Sequence, residues 1–194
     1  MRAFQASQSI EQRGNRILLP YLLEKSDGLV LTNKGTLAKW LQESVGDVLL
    51  NLHERLYAVE LKCEQKATGN LFLEVWSNRN LECRSSHAYR GQTPGWMFKS
   101  RADQLLTYFL DTDQLYSVDL FDLKQWFFGS GKKAGAIHSQ QFLPRRTRCD
   151  QLNDTWGSCV PIEVLRRELR LGALKETQVL QRSLLLEAVS VVPA

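Results

Sequence analysis

Three side chains, Asp47, Glu60 and Lys62, have types and spacing suited to chemistry on a charged ester. Glu60 and Lys62 lie two residues apart in the alternating run Tyr57-Ala58-Val59-Glu60-Leu61-Lys62. On a strand their side chains therefore point the same way, while Val59 and Leu61 face the core. Glu60 and Lys62 then look onto solvent or a cleft. Asp47 opens the preceding apolar run, and a hairpin between the two runs brings it beside Glu60. Two carboxylates in one place make a hard-oxygen site suited to magnesium. Such like charges are costly to hold together unless a cation compensates them. A neighbouring lysine can position a water, help to deprotonate it, or steady charge on a phosphate. These are the needs of phosphodiester hydrolysis. The plain alternative is an exposed Glu–Lys pair on an ordinary strand, because the Glu-x-Lys triplet is common by chance.

The elements that must position these residues follow from periodicity. Residues 9–25 read as a helix, with Ser9 as cap, Glu11 in the first turn and Ile10, Ile17, Leu18, Tyr21 and Leu22 at helical spacing. Pro20 kinks or divides it. A second helix is expected over 33–44. Apolar runs at 47–52, 56–63 and 71–76 follow one another at hairpin distance and suggest an antiparallel meander. Residues 78–94 are polar and loop-like. A helix is expected over 100–110, with Ala102, Leu105, Leu106 and Phe109 on one face, then a strand at 114–119 and a helix at 120–128. A basic glycine-rich loop covers 129–135, without the spacing of a phosphate loop. A last strand at 155–160 leads through Pro161 into a helix over 162–171. This order predicts an α/β or α+β domain with a mixed central sheet flanked by helices. One domain is expected over 1–171, and a helix-prone tail at 172–194 would pack on the core or on a partner.

Gly46-Asp47-Val48-Leu49-Leu50 followed by Tyr57-Ala58-Val59-Glu60-Leu61-Lys62 resembles the PD-(D/E)XK nuclease superfamily. Members place an acid on one strand and a (D/E)xK triplet on the next; here Gly46 stands where a proline is usual. Thr68-Gly69-Asn70-Leu71-Phe72-Leu73-Glu74, the run from Gly95 to Asp103 and Val160-Pro161-Ile162 look similar to segments of its small phage and bacterial members. The resemblance implies a restriction-endonuclease-like core and a magnesium- or manganese-dependent hydrolase acting on DNA. Asp47 and Glu60 would be metal ligands, the Leu61 carbonyl a third, and Lys62 would act on the attacking water. Glu11 matches the place of a further acid from the preceding helix, or is simply favoured by the helix dipole. Lys99 and Ser100 match a polar contact at the start of a later helix, or Ser100 simply caps it. Glu74 is either an acid near the site or an exposed strand acid. A shifted register pairing Glu60 with Glu74 would put Trp76 where the lysine belongs, so Asp47, Glu60 and Lys62 are preferred. The resemblance also admits a homodimer that cuts two strands.

The 194 residues suffice for a real core, with 43% hydrophobic and 24% charged residues. The net charge of +4 and a pI of about 8.9 lean toward a polyanionic partner. Lys132, Lys133, Arg145, Arg146 and Arg148 are the basic residues best placed for nucleic-acid phosphates, with solvated loops as the alternative. Cys63, Cys83, Cys149 and Cys159 form no CxxC pair, so a structural zinc site is poorly supported. No apolar run could span a bilayer and no secretory signal is visible, which points to the cytoplasm. His53, His87 and His138 read as turn or loop residues, and Trp96 is the tryptophan best placed to stack on a base. Two other readings stand beside the nuclease. One is a nucleic-acid-binding module that has lost catalysis. The other is a regulator that binds a protein partner through its apolar tail.

Overall fold

A computed structural model of the chain describes residues 2–31, 45–79, 93–129, 141–149, 154–169 and 174–178. The chain runs α1 (Arg2–Lys25), β1 (Gly28–Leu31), β2 (Val48–Leu52), β3 (Arg55–Glu64), β4 (Asn70–Asn78), β5 (Thr93–Pro94) and α2 (Trp96–Lys99). It continues with β6 (Gln104–Phe109), β7 (Gln114–Asp119), α3 (Leu120–Phe128), β8 (Arg145–Cys149), β9 (Asp154–Pro161), α4 (Ile162–Glu168) and β10 (Leu174–Gln178). The class is mixed α+β, as the element pattern predicts.

These elements form two compact units, each with its own sheet. The first holds α1 and a six-stranded sheet in the order β1-β2-β3-β6-β7-β10. Only the β3–β6 pair is parallel; every other neighbour in that sheet is antiparallel. The second unit holds the four-stranded antiparallel sheet β5-β4-β9-β8 with α2, α3 and α4.

Alternation makes β3 what it is. Val59 and Leu61 join Leu18 and Leu22 of α1, Val48 and Leu50 of β2, and Leu106 and Tyr108 of β6 in one buried cluster. Burying each such side chain contributes about 1.5–3 kcal/mol, so this face fixes the strand's register. Asp103 ties β3 to the start of β6 twice: its N–H donates to the Ala58 carbonyl and its carboxylate accepts the Ala58 N–H, both at 2.8 Å.

Several expectations are corrected. The helix expected over 100–110 is instead the strand β6, because its apolar run is buried at every position from Leu105 to Phe109. Such continuous burial marks an interior strand, and over a short span it mimics a helical stripe. The meander stops at β3: β4 pairs with β5 and β9 in the other sheet, and β6 takes the free edge of β3. The described part of the tail is not helical but an edge strand, β10, along β7. Helix α1 starts at Arg2, so Ser9 lies inside it rather than capping it. It continues through Pro20 without dividing. The helix expected over 33–44 and nearly all of the 129–135 loop lie outside the described residues. The strands near 47–52, 56–63, 114–119 and 155–160 and the helices starting at Leu120 and Ile162 are present. Among the described residues no helix is long and apolar enough to cross a membrane.

Gly14 sits where α1 lies against β3, and a Cβ there would overlap the Cys63 Sγ. In a free helix Gly→Ala stabilises by up to about 1 kcal/mol, whereas overpacking costs about 1–3 kcal/mol. Gly14→Ala should therefore lower the urea midpoint of unfolding; a raised midpoint would mean that the helix does not need this close approach.

Candidate active site

The β2–β3 register runs from Leu52↔Arg55 to Val48↔Val59, where β2 ends while β3 continues to Glu64. Asp47 lies just before β2. Its N–H donates to the Val59 carbonyl at 2.8 Å, and its Oδ2 accepts the Leu61 N–H at 2.9 Å. The carboxylate thus takes up a β3 donor that β2 no longer reaches. Gly46 makes this possible. Its φ is +127°, and a Cβ there would stand 2.8 Å from the Val59 carbonyl oxygen. A proline, with φ fixed near −65°, could not occupy this backbone conformation.

Glu60 and Lys62 share one face of β3, as the alternation requires, and the Lys62 Nζ lies 2.6 Å from Glu60 Oε1 and 3.9 Å from Asp47 Oδ2. The ammonium thus reaches both acids. Glu60 is only 8% exposed, so it is not the open strand face of the plain alternative. The side chains of Asp47 and Lys62 remain partly exposed. A strand residue directs its N–H and C=O to the same edge, so the Leu61 carbonyl points to the edge at which Asp47 sits.

Glu64, which sequence reasoning did not single out, continues the alternation after Glu60 and Lys62. Burial pushes its carboxyl above the ordinary value, opposed by the positive charge of Lys62. The signal was legible as a third member of an i, i+2, i+4 series.

Glu11 is exposed on α1, close enough to Cys63 to disfavour its thiolate. Among the described residues no three His, Cys, Asp or Glu side chains form a metal-holding group, so Glu11 is not gathered with Asp47 and Glu60. Glu74, Lys99 and Ser100 belong to the second unit. Glu74 accepts the Ser77 hydroxyl at 2.5 Å. Lys99 and Ser100 do not open a helix: Lys99 ends α2, and Ser100 is its C-cap, donating its N–H to the Trp96 carbonyl at 2.9 Å. The Ser100 carbonyl accepts from the Lys124 ammonium. Trp96 is buried and offers no stacking surface.

Among the basic residues, Arg145 is exposed on β8 and pairs across the sheet with Gly157. Arg146 points to the other face, 2.9 Å from the buried Asp154. The side chain of Arg148, and all of Lys132 and Lys133, lie outside the described residues, as do His87 and His138. His53 sits in the β2–β3 turn with a φ of 52°.

Two carboxylates and a main-chain carbonyl are hard oxygen donors of the kind that magnesium or manganese takes. The site therefore fits such an ion in donor chemistry, with Asp47, Glu60 and the Leu61 carbonyl as the groups that would hold it. No family model, no curated protein and no solved structure matches the chain.

Two measurements check this geometry. Gly46→Ala forces an L-residue into a conformation open to glycine and crowds Val59, and should cost about 1–3 kcal/mol of stability; unchanged stability would contradict the Gly46 backbone described above. Cys63 is pushed up from 9.0 to about 12, first by burial and then by Glu11. Its folded pKa exceeds its unfolded one, so its contribution is intact below about pH 9 and is lost as pH rises toward about 12. Between pH 9 and 10.5 the wild type should lose stability faster than Cys63→Ala, by at most about 1.4 kcal/mol per pH unit. Parallel pH profiles in urea denaturation would contradict the burial of the thiol.

Proposed function

We propose that the chain is a metal-dependent nuclease that hydrolyses phosphodiester bonds of DNA, with Asp47, Glu60 and Lys62 as its catalytic residues. The observation that carries this reading is the convergence of the three groups at the end of β2, with the Lys62 ammonium 2.6 Å from the buried Glu60 and 3.9 Å from Asp47. The resemblance of the Gly46–Leu50 and Tyr57–Lys62 segments to PD-(D/E)XK nucleases supports it.

Each residue has a task that its surroundings suit. Asp47 is held in place by the Leu61 N–H, so its second oxygen is presented in a fixed direction. Glu60 is fixed by burial and by Lys62. The Lys62 ammonium sits between the acids, where it can orient an attacking water and steady the negative charge that develops on the phosphate. When bound, magnesium or manganese supplies Lewis-acid stabilisation of the phosphate oxygens and balances the two carboxylates. Partial exposure of Asp47 and Lys62 leaves the groups reachable by a substrate.

The test is cleavage of supercoiled plasmid, single-stranded circle and a branched junction in Mg²⁺, Mn²⁺ or EDTA. Wild type should cut only with metal, and Glu60→Ala and Lys62→Ala should each lose about 100-fold or more in rate while remaining folded. Cleavage that persists in both variants would remove these residues from the chemistry. A folded wild type that binds DNA but cuts nothing in any metal would establish a binding module in place of an enzyme.

A further inference from the structure

In the second unit, aromatic and cationic side chains gather along one face of the four-stranded sheet. Trp76 of β4, Trp156 of β9 and Arg146 of β8 are cross-strand partners and so share that face. The guanidinium of Arg79 lies over the Trp156 ring at 4.4 Å and that of Arg146 at 5.4 Å. On the other side of the stripe Trp76 meets Phe98, with ring centroids 6.2 Å apart, and Phe98 stacks on Phe128 at 4.7 Å.

The stripe is built rather than accidental. Asp154, fully buried, accepts the Trp156 indole N–H at 2.9 Å and pairs with Arg146 at 2.9 Å. Its carbonyl also accepts the Arg79 N–H at 2.9 Å. One acid thus holds the tryptophan, one arginine and the backbone of the other. Arg146 has its charge met by Asp154, whereas Arg79 is held by the ring below it. Phe98 is 52% exposed although it is stacked, and Lys99 beside it is exposed as well. A half-exposed phenyl ring on an aromatic platform, with two arginines over its Trp156 end and the exposed Lys99 next to Phe98 in sequence, matches neither a core nor a plain solvated surface.

We propose that this stripe binds single-stranded nucleic acid, with Phe98 stacking on a base and Arg79 and Lys99 contacting phosphates. Bases offer π-faces that stack on aromatic side chains, and the backbone offers the negative charge that these cations complement. A duplex hides its base faces, so the stripe favours a single strand. As the substrate class of the enzyme this rests on the nuclease reading; as a binding surface it does not.

The experiment is fluorescence anisotropy of labelled oligo(dT) of about 16 nucleotides, within the usual site size, against a duplex of equal length, throughout in EDTA. Wild type should bind the single strand more tightly than the duplex and quench tryptophan fluorescence on binding. Phe98→Ala should weaken single-strand binding about tenfold, with Phe98→Tyr restoring it. Arg79→Ala should weaken it and reduce the slope of log K against log salt by about 0.7, as for one lost phosphate contact. Circular dichroism and melting of each variant distinguish lost contact from lost fold. No binding of oligo(dT), equal binding of duplex, or a folded Phe98→Ala that binds like wild type would each overturn the proposal. Metal-free binding separates the two readings. Cleavage with no effect of Phe98→Ala leaves the nuclease and removes the stripe. Phe98-dependent binding without cleavage does the reverse.

Discussion

The hydrogen bond from the Leu61 N–H to the Asp47 carboxylate is the constraint on which the candidate site depends. Strand β3 outruns β2, so beyond Val59 its outward donor has no strand partner. A buried or half-buried N–H left unmade is costly, and the nearest residue able to meet it is the one just before β2. That residue must carry an acceptor on a short side chain, and its backbone must turn sharply to bring the acceptor back. Asp47 provides the first and Gly46, at a φ of +127°, the second. An acid placed for a structural reason thus ends within 3.9 Å of Lys62.

The same strand carries core and chemistry on alternate residues. Val59 and Leu61 are in the apolar cluster under α1, and Glu60 and Lys62 face the other way. A slip of one residue would drive Lys62 into the cluster and expose Val59 and Leu61, so the apolar face holds the charged one in register. The parallel neighbour β6 and the two Asp103 bonds to Ala58 fix the strand along its length. The packing of Leu18 and Leu22 on this strand is therefore also what aims Glu60 and Lys62.

How much was legible in the sequence follows from how local each feature is. Asp47, Glu60 and Lys62 lie on two segments joined by a tight turn, so alternation and a hairpin are enough to bring them together. Glu64 obeys the same alternation, but an acid at a strand end reads as solubilising. Strand β6 has the sequence pattern of a helix because adjacent leucines at 105 and 106, each buried, satisfy both periods over so short a run. The parallel β3–β6 pairing joins segments between which much of a second unit intervenes, and no local pattern announces such a partner. Strand β10 is polar and short, and it is a strand because β7 has a free edge, which is a property of the sheet and not of the segment. The Arg79–Trp156 stripe was illegible for the same reason, since its members come from three strands and two helices.

The charge arrangement at Glu60 is not a stabilising one by itself. An exposed Glu–Lys pair contributes about 0–1 kcal/mol and demands nothing of the fold. Glu60 is instead 8% exposed, and burying a carboxylate costs several kcal/mol before its partner repays any of it. Apolar residues of similar volume are often as stable or more so in such a place. Lys62 reaches both acids, 2.6 Å from Glu60 and 3.9 Å from Asp47, so one ammonium is shared between two carboxylates. In the proposed nuclease this sharing lies at the edge to which the Leu61 carbonyl also points. A divalent cation of the hard class would add positive charge beside both carboxylates, and a phosphate bound there would bring negative charge within reach of Lys62.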